Sequence, residues 1–186
     1  MRWVLPVAAI VALILLIVFN SGSGDGVAMT GSEADQVQPG AGVPPDISSM
    51  SPEERADRLF NRVMSLWSDG KKDSAAFFAP MAISALESLA PMNAHLRYDM
   101  GLVALAGGDV DKAAALSDTI LRERPTHLLG LVLASRVADA RGDSAVGNAI
   151  RKKLIAAESS ERAKPLPEYG DHDADLRAAL DAARKR

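Results

Sequence analysis

The chain has three histidines, His95, His127 and His172, and no cysteine. Without Cys there is no disulfide framework, thiolate zinc site, cysteine nucleophile or lipidated N-terminal Cys. Each histidine falls near a predicted helix start. No two histidines stand i,i+4, and no H-E-x-x-H, D-x-D-x-D-G or phosphate-cradling loop occurs. Asp171-His172-Asp173 has the residue types of a metal contact, yet reads better as a helix cap beside an exposed histidine. The glycines of Gly22–Gly26 and Gly107-Gly108 follow no strand and lack a P-loop lysine, which argues against phosphate binding. Glu53 and Glu54 suit the first turn of a helix, where negative charge is favoured, rather than acid/base work. The expectation is no catalytic group, no cofactor and no metal, hence a binding protein rather than an enzyme.

Such a protein needs a scaffold, and the composition limits it. Of 186 residues, 48% are hydrophobic, 4% aromatic and 24% charged, which fits one folded domain with appendages. Residues 3–19 are uncharged and nearly all apolar, long enough as a helix to approach the bilayer's hydrocarbon thickness. Trp3, Arg2 and Asn20 stand at its ends. Arg2 and the amino terminus are the only positive charges nearby, and both precede the segment, so the charge bias keeps the N-terminus cytoplasmic and exports the rest. Residues 1–20 are therefore expected to be a transmembrane signal-anchor of a single-pass inner-membrane protein with a periplasmic body. A cleaved secretory signal, with Ser21-Gly22-Ser23 as its small-residue site, is the rival reading, and both export the chain. The remainder carries 20 basic against 24 acidic residues, which argues against a nucleic-acid surface.

Residues 21–50, rich in Gly, Pro, Ser and acids and free of aromatics, read as a flexible linker. Order begins at Ser51-Pro52-Glu53-Glu54, with Ser51 as N-cap, Pro52 opening the helix and Glu54 closing a capping box. Ala56, Leu59, Phe60, Val63, Met64 and Trp67 then recur at helical spacing. Gly70 ends this helix. Asp73 is expected to cap the next, which runs to about Ala90 with a kink or split at Pro80. Asn93, Asp109, Thr126 and Asp143 are expected caps of four further helices. No stretch alternates with period two for long enough to form a strand, so the body is all-α.

Shifting the chain by 34 residues superposes Pro91 on Pro125, Val103-Ala104 on Val137-Ala138, Gly108-Asp109 on Gly142-Asp143 and Ile120-Leu121 on Leu154-Ile155. This period of paired helices resembles the tetratricopeptide repeat (TPR) family. The match is best over residues 94–127, where Gly101, Ala113 and Pro125 hold the family's small, small and terminating positions. Met100 stands where the family's pattern has Leu, and Arg97, Ala104 and Ser117 replace its usual large aromatics. Residues 128–161 keep Ala138 and Gly142, with Gly147 and Ser159 departing. Residues 56–93 keep Leu59, Gly70, Ala75 and Pro91, with four extra residues assigned to the second helix. The resemblance implies a right-handed α-α superhelix of about three helix pairs over residues 51–163. After the break at Lys164-Pro165-Leu166-Pro167, residues 164–186 are expected to add a capping helix starting at Asp171.

In the family, the first helix of each pair lines a concave groove. By register that groove displays Phe60, Met64 and Trp67, then His95, Tyr98, Leu102 and Leu105, then Leu129, Val132 and Arg136. Its apolar and aromatic character suits another protein or an apolar or amphipathic peptide. The basic clamp that some members use on chain-terminal carboxylates is missing, because Asp57 precedes Asn61, the second first-helix has no Asn, and Arg136 lacks a basic partner. Two readings of these residues stand side by side: an open groove for a partner, or positions that are core or covered by the tail from Leu166 to Leu180. Two functions follow. The first is a membrane-anchored scaffold in assembly or quality control of envelope proteins, as in cytochrome c maturation or translocon-associated folding. The second is a structural subunit of a stable oligomer with no transient ligand. The sequence leaves oligomeric state unread.

Overall fold

In the computed structural model, residues 50–185 are described. The chain divides at Pro44–Pro45, and the described residues all belong to the C-terminal unit. The membrane segment expected at residues 3–19, and the linker up to residue 49, lie outside the described residues. Among those described, no helix is long and apolar enough to cross a membrane.

The first ordered residues behave as their chemistry requires. The Ser51 hydroxyl accepts from the Glu54 N–H at 3.1 Å while the Glu54 carboxylate accepts from the Ser51 N–H at 3.0 Å. That reciprocal box opens α1, Pro52–Ser68. It is followed by α2 (Lys72–Glu87), α3 (Ala94–Ala106), α4 (Val110–Glu123), α5 (Leu128–Ala140) and α6 (Ser144–Arg162), then α7 (Pro167–Asp171) and α8 (Asp173–Arg184). No strand occurs among the described residues.

Three short turns join the helices into pairs. Gly70, Gly108 and Gly142 sit at their centres with φ of +73°, +84° and +72°. Only glycine adopts that region without strain. In each turn the residue after the glycine donates its N–H back to the helix: Lys71 to the Leu66 carbonyl at 2.9 Å, Asp109 to Ala104 at 2.8 Å and Asp143 to Ala138 at 2.9 Å. This six-to-one bond satisfies carbonyls that a helix end otherwise orphans. Asp109 and Asp143 then cap the following helices through the N–H groups of Lys112 and Val146.

The 34-residue period is visible in the elements, since α5 and α6 begin 34 positions after α3 and α4. The expected four extra residues of the first unit do not all lie in its second helix. Two lengthen α2, 16 residues against 14 in α4, and the rest lengthen the connector before α3. Pro80 does not split α2, which runs through it unbroken. Pro80 and Ala76, whose carbonyl loses its partner, both face solvent, where the carbonyl is open to hydration. Asp73 is not the cap of α2. The N-cap is Lys71, which makes no side-chain cap bond, and Asp73 lies inside the first turn where its charge complements the dipole.

Packing runs in sequence order. The first helices α1, α3 and α5 pack side by side, each also against its own partner, and α8 lies on α5 and α6. Gly101 lets α3 approach α5, because a Cβ there would overlap the buried Leu133 side chain. One core cluster fills the space between α1, α2 and α3 around Val63, Leu86 and Val103. A second joins α3, α5, α6 and the tail around Tyr98, Leu129, Leu154 and Leu176. Phe60, Ile83 and Leu116 touch both.

Candidate functional site

The row of first helices leaves a concavity of about 720 Å³, lined by Met64 and Trp67 of α1, Leu102 and Leu105 of α3, Arg136, Asp139 and Ala140 of α5, and Asp175 of α8. Its floor is apolar because α1 and α3 each present hydrophobic residues one helical turn apart, Met64 with Trp67 and Leu102 with Leu105. Its far end is charged: Arg136 pairs with Asp175, and Asp139 pairs with Arg151.

The residues expected to display a groove fall into two groups. Met64, Trp67, Leu105 and Arg136 are half-buried and line the concavity, Phe60 is half-buried between the two core clusters, and Leu102 reaches the concavity with only its edge. Tyr98, Leu129 and Val132 are instead fully buried and cannot meet a partner. Tyr98 is covered by the tail. α8 buries Leu176 and Leu180 in the same cluster, and the Tyr98 hydroxyl donates to the Asp175 carboxylate, which also receives Arg136. Burial pushes the Tyr98 phenol well above its ordinary range, against the opposing pull of Arg136. The tail thus fills the α3–α5 end of the row and leaves the α1–α3 end open.

A buried polar knot anchors that tail. Glu161, at the end of α6, is fully buried. It accepts hydrogen bonds from Thr126, from Lys164 at 2.6 Å and from the Tyr169 hydroxyl at 2.9 Å. Burial alone would raise its carboxyl, but these three donors outweigh it and hold the group below the usual carboxylate value. Thr126 is therefore not the N-cap of α5, as expected, because its hydroxyl is committed to Glu161. His127 holds the N-cap position without a side-chain cap bond, and the Leu128 N–H is satisfied by the Tyr169 hydroxyl at 3.1 Å. His127 is wholly buried, 3.2 Å from Glu168, and desolvation pulls its imidazole below 6.5 despite that carboxylate.

The last helix does not start at Asp171. That residue ends α7, and His172 is the N-cap of α8. His172 is also not exposed; it packs edge-on against Tyr98 at 4.9 Å and beside His95 at 4.8 Å. Its neighbour across the interface is Asp99, which is buried. His95, expected in the groove, turns to Asp99 at 3.2 Å and Asp171 at 3.5 Å. The Asp99 bond raises the His95 imidazole over the opposing effect of burial, while burial lowers that of His172. His95, Asp99 and His172 each offer one ligand atom, all within 4.8 Å of one another. The sequence carried one sign of this cluster, the i,i+4 spacing of His95 and Asp99, which a search for histidine pairs passes over. Asp175 gave no comparable sign.

No family model matches the sequence, and no curated protein matches it. Among solved structures, the chain is similar to the crystal structure of the Sgt2 TPR domain from Aspergillus fumigatus, at 17% identity and a TM-score of 0.43, covering 74% of this chain and 82% of that one.

Proposed function

We propose that the body is a peptide-binding helical-repeat module, carried on the exported face of a membrane by residues 3–19. The observation that carries the binding reading is the half-open concavity, apolar along Met64, Trp67, Leu102 and Leu105 and closed at one end by the Arg136–Asp175 pair. Its volume, about 720 Å³, lies within the range of ligand-binding clefts and accommodates a few apolar side chains of an extended or helical segment. Trp67 supplies a large, rigid contact surface of the kind that dominates recognition. The membrane tether rests on the length of the apolar N-terminal run and the position of Arg2. Service in assembly or quality control of envelope proteins rests on the resemblance to anchored repeat scaffolds.

The test places a photo-reactive amino acid at position 67 of the full-length protein in its native membrane, with the exposed Lys152 position as control. Adducts with discrete proteins at position 67, absent at position 152, are the expected result. Equal labelling at both positions, or none at 67, overturns the reading. Retention in the membrane fraction after carbonate extraction is expected of the tether, and release would remove it.

One observation favours the structural-subunit reading instead. On α2, Phe77 is 71% exposed and Met81, one turn on, is 41% exposed. Side by side on one face, the pair suits a contact between copies. A concentration-independent oligomer in sedimentation, abolished by Phe77→Ser, would establish that role over transient binding.

A further inference from the structure

The junction between α7 and α8 meets α3 at two side-chain atoms that hydrogen bonding does not satisfy. Asp99 is only 7% exposed, and its Oδ1 has no hydrogen-bond partner. The Nε2 of His172 is equally buried and equally without one, and the two atoms face each other at 3.4 Å. The Nε2 of His95 stands 3.2 Å from the other Asp99 oxygen. Buried polar atoms are rarely left in this condition, and each such pair in a native protein needs an explanation.

We propose that His95, Asp99 and His172 form a binding site for a divalent transition-metal ion, Zn²⁺ or a close neighbour, which fastens the C-terminal segment to α3. Zinc binds imidazole nitrogen and carboxylate oxygen at about 2.0–2.2 Å, so adjacent tetrahedral ligands stand about 3.4 Å apart. The Nε2 atoms of His95 and His172 stand 3.2 and 3.4 Å from the two Asp99 oxygens, close to such an edge, and one donor atom from each of the three residues lies within 4.8 Å of the others. An ion between them would satisfy the Asp99 and His172 atoms together. His95 also has a carboxylate in the outer position that metal-bound histidines use, for its Nδ1 lies 3.5 Å from an Asp171 oxygen. Two imidazoles and one carboxylate form a nitrogen-rich donor set. That favours Zn²⁺, Ni²⁺, Cu²⁺ or Co²⁺ over Mg²⁺ and Ca²⁺, which take oxygen shells. The His95 side chain is 34% exposed, so water can complete the shell.

The ligands come from segments far apart in sequence, and the ion would tie them directly. Metal-free, the tail is held at this point by imidazole–carboxylate and ring contacts; metal-loaded, it is bolted down beside Tyr98.

The test uses the full-length chain in detergent, stripped with a chelator and titrated calorimetrically with Zn²⁺. One equivalent binding at micromolar or tighter affinity is expected, with the visible spectrum of four-coordinate Co²⁺ on substitution. Asp99→Asn and His172→Gln should each weaken Zn²⁺ binding at least tenfold, and His127→Gln should not. If a variant fails to fold, NMR of the three imidazoles in the unaltered protein decides: Zn²⁺ should shift His95 and His172 and leave His127. No saturable uptake, uptake unchanged in both ligand variants, or a His127 response equal to the others would overturn the proposal.

Discussion

Tyr169→Phe isolates one oxygen atom in the buried knot. That hydroxyl donates to Glu161 and accepts the Leu128 N–H, so it closes α6 and opens α5 at once. Its removal keeps the ring and its packing, so no cavity term enters. A hydrogen bond to a charged group contributes about 1.5–3 kcal/mol, and an orphaned buried N–H costs about 1–3 kcal/mol. Glu161 keeps Thr126 and Lys164, so its charge is not stranded, and the sum belongs in the lower half of the combined range, about 2.5–4 kcal/mol. For a body of this size that corresponds to a fall in Tm on the order of 10 °C. Urea unfolding of the full-length protein, followed by helical circular dichroism, measures it directly. A loss under about 1 kcal/mol would mean that the Leu128 N–H finds water, and that the knot is not the anchor described here.

Other perturbations follow from the same geometry. Gly108→Val should cost about 1–3 kcal/mol through its backbone alone, since φ is +84° and no atom lies within 4 Å of an added Cβ; unchanged thermal stability would refute the turn. Trp67→Ala should weaken peptide capture while unfolding stays cooperative, and a collapse in Tm would make Trp67 a core residue instead. Asp175→Asn should speed hydrogen exchange in α8, because Tyr98 and Arg136 both lose their charged acceptor; unaltered protection would show that Leu176 and Leu180 hold the helix unaided. His127, facing Glu168, Glu161 and Arg124, should titrate below 6.5. Its contribution to stability is then complete above 6.5 and lost as pH falls through the folded value. Glu168→Gln should lower that value further, and an NMR midpoint at or above 6.5 would refute the burial argument.

Features legible in the sequence were those determined within a few residues. Ser51, Asn93, Asp109 and Asp143 each cap a helix through the N–H three positions on, and the glycines of the three turns need only their own φ. Thr126 has the same residue type but a different partner, Glu161, which lies 35 positions away, so no local pattern could disclose its role. Lys71 shows the converse: the turn at Gly70 sets where α2 begins, and Asp73 follows inside it. Helical spacing correctly gathers Met64, Trp67 and Leu105 with Tyr98 and Val132 on the first helices. It cannot tell which end of the row the tail will cover, because that depends on Leu176, Leu180 and Asp175 arriving from another element. The His95–Asp99–His172 cluster was hidden for the same reason.

The bond between Tyr98 and Asp175 spans 77 positions in a fold whose other joints are mostly between neighbours. A plain stack of helix pairs is quasi-one-dimensional, and its last unit can fray while the rest stays folded. Here the chain turns back after α6, lies on the last pair and reaches Tyr98 of the middle one, so the terminal unit cannot open without also stripping α3 of its cover. The array behaves as a closed circuit rather than a ladder. Removing the final helix should split one unfolding transition into two, and a protease that reaches the tail would relax the groove and lower the cooperativity of the whole body in one cut.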